Sequence, residues 1–154
     1  DGITLVYEPN VSEVIELFQV RAGLEGIAVF LATKSMSASE IEELGKSIKK
    51  VETALKEKSF ADVVKLNTYF HESIIGKSKN EKLSIIMQKI NTLTLLYRNN
   101  FFAKYYGNDE FLNEHLEIWQ AMKVRNPELA SEKMRKHIFN DLDRLIERLR
   151  ESPE

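Results

Sequence analysis

The sequence contains no cysteine, which removes disulfide frameworks, cysteine zinc fingers and thiol catalysis, and is compatible with a reducing cytoplasm. Glycine (6) and proline (3) are scarce for 154 residues, so few positions break a helix or supply the turns of a β-rich chain. No apolar run approaches the roughly 18 residues that cross a bilayer, and no signal-peptide pattern opens the chain. Charge of one sign is missing too. Acidic and basic residues are interspersed to a formal net charge of −2, which provides no basic field to draw in a phosphate backbone. The expectation is a soluble, cytoplasmic protein that has no membrane partner and does not bind DNA through this segment. What is present, 43% hydrophobic and 30% charged residues, suits one globular domain with a real core.

Apolar residues recur at a spacing of about 3.6 almost throughout, which predicts an all-α chain. Ser12 is placed to cap a first helix whose stripe runs Val14, Leu17, Phe18, Leu24, Ala28 and Leu31 and ends near Lys34. Ser37 and Glu40 form a capping-box pattern before Ile41, Leu44, Ile48 and Val51. Ser59 opens a third helix through Val63, Leu66, Phe70 and Ile74 that stops around Gly76. Asn80 caps a long fourth helix, with Leu83, Met87, Ile90 and Tyr97, reaching toward Gly107. Asn108 or Asp109 caps the fifth, and Asn126 with Pro127 opens the last, through Met134, Ile138, Leu142 and Leu145. Short loops between them predict an antiparallel bundle of about six helices over residues 11–152. Residues 3–7, Ile-Thr-Leu-Val-Tyr, read instead as a short strand. Residues 1–10 are therefore expected to be the strand and linker left by a domain lying upstream.

In a helical protein the informative residue is a polar one on the apolar stripe, because burying it costs free energy unless something pairs with it. Asn67 and His71 lie one turn apart on helix three, among Val63, Val64 and Ile74. His115 falls three and four residues from Leu112 and Phe111, and from Ile118 and Trp119. His137 follows Met134 by three and precedes Asp141 by four, and Leu142 beside it continues the stripe. A single inward histidine is more often a hydrogen-bonded core residue than a ligand. Three on three helices, with the Asn67 carbonyl oxygen, would suit Zn²⁺ or Ni²⁺ with open coordination positions if the helices converge. Arg21 also continues an apolar stripe. It fits either an ion pair with Glu25 or another acid, or a fork gripping the carboxylate of a small ligand. Arg98, beside Tyr97 on helix four, is a second candidate for that role.

These residues resemble the FCD-type effector domain of GntR-family transcription regulators, in the FadR-like branch. Arg21 to Glu25 resembles the Arg-x-x-Leu-Glu signature of that domain's first helix, and Asn67-x-x-Phe70-His71 its Asp-x-x-Phe-His motif. Ser78-Lys79-Asn80 with Leu83, then Glu114-His115, then Met134 to His137, are similar to the motifs that follow, in the same order across residues 12–150. The resemblance implies a divalent metal on Asn67, His71, His115 and His137, completed by a small organic acid for which Arg21 is a possible anchor. It also implies a homodimer, and an upstream winged-helix domain that contacts operator DNA. One position departs: Asn67 stands where the family has aspartate, offering an oxygen without its charge. The ion is then less compensated and more attractive to an anion.

Two other classes compete. A three-histidine site can activate water in an enzyme. However, His71-Glu72-Ser73-Ile74-Ile75 starts like His-Glu-x-x-His and puts Ile75 where the second histidine belongs. Glu72 and Glu114 adjoin histidines but project about 100° away on the helix, so no general base is visible for the same site. The expectation is that the chain is not an enzyme. The other alternative is a metal-free helical interaction module whose inward polar residues only pack and hydrogen-bond.

Overall fold

The computed structural model describes residues 10–100 and 109–151, the side chains of 98–100 excepted. The expected strand at 3–7, the extension of helix four toward Gly107 and the Arg98 side chain lie outside the described residues. Among those described there are six helices and no strand: α1 (Val11–Ser35), α2 (Ala38–Lys56), α3 (Phe60–Lys77), α4 (Glu81–Asn100), α5 (Glu110–Lys123) and α6 (Pro127–Glu151). The all-α bundle expected from the apolar spacing is the architecture observed.

Local chemistry sets most of the helix ends. Ser37 and Glu40 close a reciprocal capping box at 3.1 and 3.0 Å, which satisfies two backbone donors that a helix start otherwise leaves open. The Oδ1 atoms of Asn80 and Asn126 accept from the backbone of Leu83 and Leu129 at 3.0 and 3.1 Å. Three expectations need correction. The cap of α1 is Asn10, which accepts from Glu13 N at 2.8 Å, so Ser12 already lies inside the first turn. Ser59 stands at the start of α3, but its hydroxyl bonds the Asp62 carboxylate at 2.6 Å rather than a backbone N–H. Gly76 sits inside α3, and the left-handed residue beyond that helix is Lys79.

Arg125 is another non-glycine residue in the left-handed region, at φ 58°, just beyond α5. Its conformational cost is offset because Nη1 donates to the carbonyls of Thr33 and Met36 at 2.9 and 2.5 Å. There the guanidinium meets the negative end of the α1 dipole and ties the two helix ends together.

The core explains why α1 matters most. Buried side chains surround it, from Val14, Phe18 and Ala22 to Ala28, Val29 and Ala32, as expected of a helix packed on several neighbours rather than one. It lies along α6 and also touches α3, α4 and α5, while α2 packs on α3 and α5. Gly26 permits the close α1–α6 approach: a Cβ there would meet Arg135 Cγ at 3.0 Å and Ser131 Oγ at 3.2 Å. By contrast α4 rests on α1 and α3 and turns Ile85, Ile86, Leu93 and Leu96 outward. No helix among the described residues is long and apolar enough to cross a membrane.

Candidate metal centre

His71 on α3, His115 on α5 and His137 on α6 meet in the interior, all nearly free of solvent contact. The Nε2 atom of His137 lies 3.0 Å from that of His115 and 3.4 Å from that of His71. The convergence that the sequence left conditional is present. Packing fixes the rings. Phe70 stacks on His115 with centroids 4.0 Å apart, and Phe111 meets the same ring edge-on at 5.6 Å.

The far side of two rings is held by carboxylates. His71 Nδ1 is 2.5 Å from Glu25 Oε1 of α1, and His137 Nδ1 is 2.8 Å from Glu114 Oε1 of α5. An ionised carboxylate can only accept, so each Nδ1 carries a proton, and in a neutral ring so held Nε2 keeps its lone pair facing the centre. Burial pushes the His71 imidazole down to about 4, against the opposing pull of Glu25. The ring is therefore neutral at pH 7, the form that ligates a metal. Burial alone would raise Glu25, but Arg21 and His71 outweigh it and bring the carboxyl to about 2. Glu114 is likewise raised by burial and lowered further by hydrogen bonds from His137 and Arg144, to about 2.

Each glutamate is backed by an arginine. Arg21 Nε stands 2.5 Å from Glu25 Oε2, which realises the ion pair expected for Arg21. Its Nη1 lies 4.0 Å from Asp141 Oδ2 and has no hydrogen-bond partner among the described residues. Arg144 grips Glu114 with both Nη atoms, at 3.1 and 2.6 Å, and holds Asp141 Oδ1 at 2.7 Å. Asn140 adds a bond to Glu114 at 2.7 Å. Asn67 is buried one turn before His71, and its Nδ2 likewise lacks a partner. Beside the histidines, Arg21, Thr68, His71, Glu72, Asn91 and Thr94 line a space of only about 10 Å³, no more than one water fills.

The family model of the FCD domain matches residues 16–140. The chain belongs to the FCD domain family. This FCD domain is 27% identical over 143 residues to a Bacillus subtilis (strain 168) protein named "Uncharacterized HTH-type transcriptional regulator YdhC", covering 92% of the chain. It spans 64% of that relative's length. Among solved structures, Escherichia coli McbR/YncC superposes with a TM-score of 0.85 at 17% identity, over 92% of this chain and 72% of that one. A Streptococcus agalactiae GntR gives a TM-score of 0.71 at 21% identity, over 88% and 61%. At such identities the structural likeness is one of fold. The Bacillus subtilis relative is a transcriptional regulator by name, in line with the expectation that the domain is not an enzyme.

Sequence reasoning missed the outer half of the site. Glu25 was visible only as a partner for Arg21, whereas it also holds His71. Glu114 was set aside because it points away from its neighbour His115, yet across the helix interface it serves His137. Asp141 had a signal, its position one turn beyond His137 on a buried stripe, and Arg144 follows three residues later.

Proposed function

We propose that this FCD domain is the effector-sensing part of a GntR-family transcription regulator, holding a divalent metal through His71, His115 and His137 and responding to a small organic acid. The single observation that carries the reading is the meeting of three imidazole Nε2 atoms. Two of these, at 3.4 Å, turn lone pairs toward each other because Glu25 and Glu114 hold the protons on the opposite nitrogens. Such a contact is unfavourable by itself and is relieved by a cation. The all-nitrogen donor set favours Zn²⁺ or Ni²⁺. The family resemblance puts Asn67 in the fourth position. A bound ion supplies positive charge and open positions for an anion.

Charge supports the effector class. Two guanidiniums, Arg21 and Arg144, face three carboxylates, Glu25, Glu114 and Asp141. This leaves one net negative charge, which a divalent ion turns into one positive. A monocarboxylate then neutralises the site, and the unpartnered Arg21 Nη1 is a donor within it. The space of about 10 Å³ beside Arg21 cannot admit such a molecule as it stands. Asn91 and Thr94 of α4 are among its lining residues, with Thr68 and Glu72 of α3, so entry displaces lining side chains and gives effector binding a conformational readout. Operator contact through an upstream winged-helix domain, a homodimer and a cytoplasmic setting complete the proposal.

Metal analysis of the purified chain provides the test. Stoichiometric Zn²⁺ or Ni²⁺ is expected, with added metal at 100 times its Kd stabilising the fold by about 3 kcal/mol in thermal melts. No retained metal and an unchanged melt would sink the reading. A panel of small carboxylates is expected to bind the holo-protein without being converted; turnover of any of them would make it an enzyme.

A further inference from the structure

We propose that a second copy of this chain docks on the outward face of α1, α4 and α6, with α1 antiparallel to its counterpart about Gly23. The proposal gives the homodimer of the reading above its surface and rests on that part of it alone. Val20 and Ile27 of α1, Ile86, Leu93 and Leu96 of α4, and Phe139 of α6 are large apolar side chains 41–52% exposed. Packing makes them neighbours. α1 lies along α6 and also touches α4. Gly26 sits against Ser131 and Arg135, and Arg21 beside Asp141, so α1 and α6 run antiparallel and Phe139 falls level with Gly23. Asn91 and Leu95 line a space shared with Thr68 and Glu72 of α3, so that edge of α4 faces α3. Ile86 and Leu93 lie on the opposite edge, beside the exposed strip of α1.

A closed dimer uses the same patch on both subunits, so that patch must be complementary to itself. The exposed strip of α1 meets this condition. It runs Glu13, Glu16, Val20, Gly23, Ile27 and Lys34, with apolar residues at the middle, acids at one end and a base at the other. Antiparallel pairing about Gly23 sets Val20 against the second copy's Ile27 and the acidic end against the second copy's Lys34, whereas parallel pairing would set like charges together. On α4, Asn91 shares a space with Arg21, so the middle of that helix stands near the level of Gly23. The same two-fold axis then brings Ile86 to the second copy's Leu93. Gly23 supplies the close approach. A glycine inside a helix weakens it relative to alanine, and two others have a reason within the chain: a Cβ on Gly26 would meet Arg135 Cγ at 3.0 Å, and one on Gly45 would meet Trp119 at 2.6 Å. A Cβ on Gly23 would meet nothing within 4 Å among the described residues, so its use lies in an approach from outside. The area agrees. Two helices about 30 Å long and roughly 9 Å apart present a footprint on the order of 600 Å², near the roughly 800 Å² that each partner of a standard interface buries.

Sedimentation equilibrium of the purified chain is the test. The wild type is expected at twice the chain mass. Gly23→Leu fills the close approach but meets open space in its own subunit, and should raise the dimer Kd by about tenfold or more with the far-UV spectrum unchanged. Leu93→Glu should do the same from α4. Because the chain has no cysteine, a single introduced thiol reports position. Gly23→Cys lies at the two-fold axis, within disulfide reach of its own copy, and is expected to cross-link under diamide. Lys50→Cys, exposed on α2 away from this face, is not. Should Gly23→Leu fail to fold, the smaller Gly23→Cys substitution still decides. A dimer indifferent to both Gly23→Leu and Leu93→Glu, or Gly23→Cys cross-linking no faster than Lys50→Cys, would overturn this face and leave the homodimer standing. A wild type that stays monomeric overturns both and gives the face to a different protein.

Discussion

The interior contains the same arrangement twice, an arginine behind a glutamate behind a histidine, and the two copies are finished differently. Arg21–Glu25–His71 joins α1 to α3, with every member at most 3% exposed. Arg144–Glu114–His137 joins α6 to α5 nearer the surface, with the Arg144 and Glu114 side chains 15% and 18% exposed. The outer relay is saturated: Arg144 is bidentate on Glu114, and Asn140 and Asp141 take up what remains. Among the described residues the inner one leaves Arg21 Nη1 without a hydrogen-bond partner, beside a space of about 10 Å³. A buried polar network left partly unsatisfied costs stability, so the contrast assigns them different work. The outer relay clamps the α5–α6 seam, and the inner one leaves a buried donor open among the described residues.

Breaking the inner relay should cost most. Glu25→Ala leaves the Arg21 charge buried without its main partner, and a loss of about 3–5 kcal/mol in urea unfolding is expected. A loss below about 1 kcal/mol would mean that water reaches the pair.

Acid sharpens the comparison next. His71 is lowered from 6.5 to about 4 by burial, so below pH 6.5 the unfolded chain binds a proton that the folded one refuses. Stability of the metal-free protein therefore falls as pH drops from 6.5 to 4, by at most about 3 kcal/mol. Glu25 and Glu114, lowered from 4.5 to about 2, contribute stability above 4.5 that is lost as pH falls from there toward 2. Denaturation curves across the range should show the first loss vanish in His71→Gln, and persistence of that loss would place the titration elsewhere.

Arg144→Gln attacks the outer relay, where partial exposure screens the charges. The expected cost is smaller, about 1–2 kcal/mol, and diminishes further in high salt. A cost equal to that of Glu25→Ala would erase the distinction drawn between the two relays.

How far these features could be read in advance depends on the range of the interaction involved. The helices were legible because their signals are local: the capping box of Ser37 and Glu40 and the Asn80 and Asn126 caps involve residues three apart. The Ser12 expectation failed on the same scale, since Asn10 competes two residues earlier with an equally good capping side chain. The inward histidines were legible because helical phase alone puts His71, His115 and His137 on apolar stripes. Their outer partners were not. Glu25 is 46 residues from His71, and Glu114 is 23 from His137, separations over which helical phase carries no information.

The sequence by itself determined that the chain is helical, where most helices start, and which polar side chains must go inside, because each of these follows from contacts within a turn or two. The tertiary structure alone decided that three imidazoles meet within hydrogen-bonding distance, that Arg21 pairs with Glu25 while leaving a buried donor open among the described residues, and that Asp141 stands beside the centre. The physical reason is that a stripe states only which way a side chain faces. Which residues it then meets depends on how four helices pack, a choice made by the whole core together.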